Sequence, residues 1–173
     1  KAVYHIERKL RASGYDSLLC CTGYGLEAKA ASMDLLLTKK VDGIILAGSH
    51  FISEKEQENR YIAEAAAQIP VMLLNADLDI PNVYSVLSDD FTSMYEATLQ
   101  MIQSGTEDIL YFYNSDSYSG KRKLAGFRAA MEDRALPGTD SLIQSYQGPH
   151  EDIHAMVRHL QAVHEQGLDF HGV

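Results

Sequence analysis

The sequence alternates between two hydrophobic periods, and this alternation limits the fold more than any other feature. Short continuous apolar runs such as DGIILAGS and DILYFYN are typical of strands that are buried on both faces. Between them lie segments with apolar residues three or four positions apart, as in LEAKAASMDLLLTKK, and this spacing predicts helices. Strands and helices that alternate along a chain form a parallel sheet covered by helices. We therefore predict an α/β protein.

Each predicted element is bounded by recognisable end signals. Ser53 with Glu56 forms a capping box for one helix, and Asp90 or Thr92 caps another. The chain opens in a helix with no strand before it and ends as a strand begins, so we expect a piece of a longer protein. The runs predicted as strands are SLLCCT, DGIILAGS, VMLLN, YSVLS, DILYFYN, SLIQSY and an incomplete FHGV.

Composition excludes several classes of function. The net charge of −9 argues against a nucleic-acid or anionic-membrane surface, because phosphate binding needs clustered Lys and Arg. No apolar run is long enough to span a membrane. The two cysteines, Cys20 and Cys21, are adjacent on a predicted strand, which favours a buried, reduced pair in a cytoplasmic protein.

A glycine-rich turn raises the alternative of a nucleotide-dependent oxidoreductase. Gly23, Gly25 and Ala28 fit the dinucleotide fingerprint GxGxxG/A between a strand and a helix. That function requires an acid at the end of the next strand to hold the ribose, but the strand ends in LAGSH. An ordinary glycine-rich turn explains the pattern better, and we expect no cofactor.

The segment HEDIH, residues 150–154, matches the zinc-protease pattern HExxH. The preceding Gly148 and Pro149 place it at the first turn of a helix, whereas the zinc motif lies well inside one. We expect no metal. No Ser-His-Asp arrangement or GxSxG turn is visible either, so the sequence predicts no catalytic residues and no enzyme.

Polar residues that follow two predicted strands are better candidates for a binding site. Asp89 and Asp90 follow one strand, and the loop NSDSYSGKRK follows another. Ligands of parallel α/β sheets bind at the carboxyl ends of the strands. The cations at 121–123 stand where a helix begins, although helix N-termini disfavour positive charge by about 0.3–1 kcal/mol. Binding of polar ligand groups would explain them, with Ser117 or Ser119 as the helix cap.

An ordered set of segments carries a family resemblance. The chain resembles the lactose/galactose repressor (LacI/GalR) family of transcriptional regulators over essentially its whole length. The matching segments are GYDSLLCC, LEAKAASMDLLLTKKVDGIILAGS, IPVMLLNAD, VLSDDFTSMYEATLQMIQSGTEDILYFYN and KLAGFRAAMED.

The resemblance implies a periplasmic-binding-protein-like core of type I, with two Rossmann-like lobes, parallel sheets and an effector in the cleft between the lobes. Residues 1–104 would form the first lobe without its first strand. Residues 105–173 would form part of an incomplete second lobe.

The resemblance also implies which residues bind the ligand. Lys123 falls where the family has an arginine that grips the effector, and the two are not equivalent, since lysine presents a point charge and arginine a planar fork. Arg122 would take that role in a shifted register. The complete set of expected ligand-binding residues is Lys123, Asp89, Ser119, Tyr118, Arg122 and Ser49.

The function implied is the effector-binding and dimerisation core of a cytoplasmic transcriptional regulator. A sugar-like or nucleoside-like molecule would shift the population between two geometries. Operator DNA would be bound only through a helix-turn-helix headpiece outside this chain, and the core would form a homodimer. One alternative is the sugar-binding component of a transport system; the other is the oxidoreductase described above.

Overall fold

A computed structural model of the chain describes residues 2–146 and 152–173. Its packing separates two compact units, Lys1–Ser88 and Asp89–Val173. The division falls before the helix that follows Asp89, whereas the sequence placed that helix at the end of the first lobe. The lobe boundary at residues 104/105 stays a prediction.

The first unit is built on a three-stranded parallel sheet. Its helices are α1 (Ala2–Ala12), α2 (Leu26–Thr38) and α3 (Arg60–Ala66). Its strands are β1 (Ile44–Ala47), β2 (Val71–Leu74) and β3 (Val83–Val86), in the order β1-β2-β3. Val71 lies opposite Ile44 on one side and Val83 on the other. Val71 and Leu73 are fully buried, whereas Met72 between them is 36% exposed, so β2 is not buried on both faces as the sequence predicted. Successive side chains of a strand point to opposite faces, and only the face with Val71 and Leu73 is fully covered.

The run SLLCCT does not form the predicted buried strand. Leu18 and Leu19 are 56% and 68% exposed, and the segment pairs with none of the described strands. The run has the apolar pattern of a buried strand, but burial also requires a neighbouring strand and a covering layer. The two cysteines of this segment are free thiols. Cys20 is half-buried and Cys21 is exposed, so the prediction that both are buried is wrong.

The predicted capping box at Ser53 and Glu56 is also wrong. The segment Glu56–Asn59 is a short 3-10 turn, and α3 begins only at Arg60. The Asn59 side chain accepts from the Ser53 backbone N–H at 2.8 Å and donates to the Ser53 carbonyl at 2.7 Å. The Ser53 hydroxyl donates to Glu58 instead of reaching a helix N–H. Asn59, six residues away, therefore satisfies the Ser53 N–H, which Glu56 would have bound in a capping box.

The second unit combines a two-stranded parallel sheet with long helices. In chain order its elements are α4 (Asp90–Gln103), β4 (Tyr111–Tyr113), α5 (Tyr118–Asp133), β5 (Ile143–Ser145) and α6 (Ile153–Glu165). β4 and β5 pair in parallel, and a further parallel bridge joins Ile109 to Gly172 in the predicted terminal strand. Phe127 and Met131 of α5 are fully buried in the core of this unit.

A close backbone approach fixes α4 against α5. A Cβ atom added at Gly126 of α5 would clash with the carbonyl oxygen of Phe91 and lie 3.1 Å from the Tyr95 backbone nitrogen. The Tyr95 hydroxyl also donates to Asp133 at 2.6 Å. Only glycine permits this contact, and the pairing with α5 is the reason why α4 belongs to the second unit.

The HEDIH segment is described only in part, since His150 and Glu151 lie outside the described residues. The helix itself begins at Ile153, and the Asp152 side chain caps it by accepting from the Ala155 N–H at 2.9 Å. Within the described ranges, no group of three or more His, Cys, Asp or Glu residues is arranged to hold a metal ion. No described helix has the length and apolar character needed to cross a membrane.

Candidate functional site

The start of α5 is held by a serine cap, as the sequence predicted. The Ser117 side chain accepts from the Gly120 N–H at 3.2 Å. Tyr118 is the first residue of the helix and is partly buried. The cations of the segment therefore lie in the first turns of α5, where the positive end of the helix does not favour them.

A buried carboxylate lies beside these cations. Asp90, the first residue of α4, is only 8% exposed. One of its oxygens accepts from the Ser119 hydroxyl at 2.6 Å, and the other lies 3.7 Å from the Lys123 Nζ. The sequence predicted Ser119 and Lys123 but treated Asp90 only as a possible helix cap. We call Asp90, Ser119 and Lys123 the Asp90 cluster.

The true cap of α4 is Asp89. Its carboxylate accepts from the Thr92 N–H at 3.1 Å, and the residue is exposed. This hydrogen bond, together with the charge of the nearby Arg122, holds the pKa of Asp89 below its ordinary value. The prediction that Asp90 or Thr92 caps this helix is wrong, because α4 already begins at Asp90, one residue earlier than a cap at Asp90 would require.

Arg122 lies against the same helix start. Its guanidinium carbon is 5.5 Å from the centre of the Phe91 ring, which is cation–π geometry. The second unit thus brings together five of the six predicted ligand-binding residues at the starts of α4 and α5. These are Asp89, Tyr118, Ser119, Arg122 and Lys123.

The sixth predicted residue, Ser49, belongs to the first unit. It begins a 3-10 turn, Ser49–Phe51, directly after β1. Lys29 of α2, a buried residue that the sequence analysis did not single out, supports this turn. The Lys29 Nζ donates to the His50 carbonyl at 2.6 Å and lies 5.7 Å from the centre of the Phe51 ring. Burial lowers the pKa of Lys29, with a smaller opposing effect from Glu58.

A cavity of about 270 Å³ in the first unit lies beside this turn. Along its wall the His50 ring lies between two tilted aromatic rings, with ring centres 5.0 Å from Tyr24 and 4.5 Å from Phe51. Burial and the charge of Lys29 lower the pKa of His50, which favours the neutral ring. The lining residues are Cys20, Cys21, Thr22, Gly23, Tyr24, Ala47, His50 and Phe51.

The sequence around Lys29 indicates only weakly that this lysine is buried. It precedes Met33 by one helical turn, and these two residues form the buried face of α2. Leu26, the first apolar residue of the same run, is 43% exposed. For Asp90 the signal is the pair of adjacent acids after a strand, of which only one can serve as the cap.

Residues 1–166 match the family described as periplasmic binding proteins and sugar binding domain of LacI family. An HTH-type transcriptional regulator of Lachnoclostridium phytofermentans is 43% identical over 99% of this chain and 51% of its own length. The HTH-type transcriptional regulator DegA of Bacillus subtilis is 31% identical over 80% of this chain and 41% of its own. The chain thus spans about half the length of the curated relatives it matches.

A solved sugar-binding transcriptional regulator of the LacI family from Escherichia coli, in complex with phosphate, has the same fold. It superposes with a TM-score of 0.75 at 22% identity and covers 97% of this chain and 58% of its own. These matches confirm the predicted periplasmic-binding-protein-like α/β fold and the predicted resemblance. The chain belongs to the family of periplasmic binding proteins and sugar-binding domains of the LacI family.

Proposed function

We propose that this chain is the effector-binding core of a LacI/GalR-type transcriptional regulator, and that it binds a sugar-like or nucleoside-like molecule at the starts of α4 and α5. The observation that carries the proposal is the Asp90 cluster. Lys123 keeps a side chain that is 44% exposed while its charge is balanced by Asp90. Hydrogen-bond donors and acceptors that converge at the ends of parallel strands are typical of small-molecule sites.

The remaining parts of the proposal concern the whole protein. Operator DNA would be bound through a headpiece outside this chain, which agrees with the net charge of −9. Homodimerisation through helices of the first unit is supported by α1, which has no buried residue and exposes Val3 and Tyr4. A regulator of this kind acts in the cytoplasm.

The two alternatives receive less support. The curated relatives are transcriptional regulators, not transport components or enzymes. The glycine-rich turn leads into α2 at Gly25, and the residues after β1 are Gly48, Ser49 and His50, without an acid to hold a ribose. We therefore interpret the turn as a connection.

Calorimetric titration of the full chain with a panel of neutral sugars and nucleosides tests the proposal. We expect at least one member to bind, and Lys123→Met to weaken it by about ten- to a hundredfold, because a hydrogen bond from a charged group contributes about 1.5–3 kcal/mol. Lys39→Met, which changes an exposed lysine after α2, is the matched control and should bind normally. Equal affinities in the two variants would place the ligand elsewhere.

A further inference from the structure

The Asp90 carboxylate limits what its two neighbours can offer a ligand. The Ser119 hydroxyl has one hydrogen, which it donates to Asp90 at 2.6 Å. Ser119 is also buried, so it stabilises the carboxylate and does not present a free donor. Asp90 is therefore held in place by α5 as well as by its own helix.

The second oxygen of Asp90 acts on Lys123. The 3.7 Å between this oxygen and Nζ is the separation of an ion pair and is too long for a hydrogen bond. The lysine thus keeps its N–H groups for a ligand, while its positive charge is balanced by a fixed, buried negative charge. Because the carboxylate is 11% exposed, solvent screens it less than a surface charge.

We propose that Asp90 is a specificity-determining positioning residue that makes this site select neutral, polyhydroxylated ligands over anionic ones. The inference rests on the proposed function and adds the charge class of the ligand. A neutral hydroxyl accepts from Lys123 without meeting an unfavourable charge. A phosphate or carboxylate group at the same point is attracted by Lys123 and repelled by Asp90, so the two interactions oppose each other.

The test is Asp90→Asn, which keeps the shape of the side chain and an oxygen to accept from Ser119 but removes its charge. The probes are glucose, glucose 6-phosphate and inorganic phosphate, titrated calorimetrically into the full chain at low ionic strength. We expect both phosphates to bind about fivefold more tightly to the variant, the effect of a charge pair of about 1 kcal/mol. The ratio of phosphate to glucose affinity should therefore rise in the variant, and added salt should reduce that rise.

Asp140→Asn is the matched control, because it removes an acid from another ion pair of the same unit, with Arg128 at 2.6 Å. It should leave all three affinities unchanged. An equal ratio of phosphate to glucose affinity in wild type and Asp90→Asn would overturn the inference, as would a gain that salt does not reduce. A purely structural role of Asp90 would weaken all probes together.

The outcomes also separate this inference from the proposed function. If no neutral sugar or nucleoside binds while Asp90→Asn still gains phosphate affinity, the charge balance stands and the proposed function fails. If glucose binds and the phosphates gain nothing, the proposed function stands and the inference fails. Should circular dichroism show that Asp90→Asn is unfolded, Asp90→Ser is the second neutral variant, with the same expected result.

Discussion

Lys29 in the first unit and Asp90 in the second are both charged, both located in the first turn of a helix, and both 8% exposed. Their partners differ. Lys29 donates to a backbone carbonyl, that of His50, and the acid that influences its charge is the half-buried Glu58. Asp90 interacts with two side chains, the Ser119 hydroxyl and the Lys123 ammonium.

This difference indicates different roles. A charge bound to a carbonyl fixes the path of the backbone, so Lys29 holds the turn after β1. A charge balanced by a half-exposed counter-ion can influence how that counter-ion meets a ligand, which is the role proposed above for Asp90. Burial alone therefore does not separate the two charges; the kind of partner does, a backbone carbonyl for Lys29 and a lysine ammonium for Asp90. Removing a buried charge should affect stability in the first unit and ligand preference in the second.

The largest loss of stability is expected for a substitution at Gly126, and its absence would contradict the comparison of the two units. Gly126→Ala places a Cβ against the backbone carbonyl of Phe91, which follows Asp90 in the sequence. The clash forces α4 and α5 apart. We expect the free energy of unfolding to fall by about 3 kcal/mol, the upper part of the range for overpacking. Urea denaturation measures the loss, and nuclear magnetic resonance should show shifted Asp90 and Ser119 signals.

Gly25→Ala is the control, because a Cβ at that position of the first unit meets no atom within 4 Å. Its cost as a helix cap should stay below about 1 kcal/mol. A Gly126→Ala protein as stable as Gly25→Ala would mean that α4 and α5 do not approach closely, and the position assigned to Asp90 would then be wrong.

A smaller effect on stability is expected in the first unit, for Lys29→Ala. The variant loses the packing of the lysine stem and the hydrogen bond to the His50 carbonyl, while the cost of burying an ammonium disappears. We expect a net loss of about 1–2 kcal/mol in urea denaturation, since the two contributions partly cancel. Lys39→Ala should change stability by less than about 0.5 kcal/mol. If the two lysine variants are equally stable, the turn after β1 does not depend on Lys29.

The fold could be predicted from the sequence where pattern and environment agreed. β1 and β2 are short apolar runs with a paired neighbour, and both are strands as predicted. SLLCCT has the same pattern but no paired neighbour among the described strands, so its leucines remain in solvent. A local pattern reports what a segment would do in a sheet, and it does not report whether a partner is present.

The site could be predicted only in part, for a related reason. Ser119 and Lys123 were expected from the family resemblance, and they do lie together beside Asp90. Asp90 was missed because its neighbour Asp89 has the same chemistry, and only the position of the helix start determines which acid is the cap. Lys29 was missed because its acceptor is a backbone carbonyl twenty-one residues away, which no side-chain pattern records.

The smallest expected effect concerns an exposed pair in the second unit, which sharpens the contrast with the two buried charges. His171 Nδ1 contacts the Asp108 carboxylate beside the bridge between Ile109 and Gly172. The hydrogen bond to Asp108 raises the pKa of His171 above 6.5, with a smaller contribution from Asp169, and the same bond lowers the pKa of Asp108 below 3.8.

The two shifts define a pH window. A raised histidine pKa adds stability below the unfolded value of 6.5, and this stability is lost as the pH rises through the folded value. A lowered aspartate pKa adds stability above 3.8 that is lost as the pH falls through the folded value. The pair should therefore stabilise the bridge most between these values, and its contribution should weaken toward alkaline pH.

Urea midpoints of the wild type at about pH 5.5 and about pH 8 should differ in that direction. The variant His171→Gln should reduce the difference, whereas His5→Gln on the exposed helix α1 should preserve it. Because both partners are exposed, salt should reduce the effect as well, and a pH dependence that survives in His171→Gln would assign it to another group.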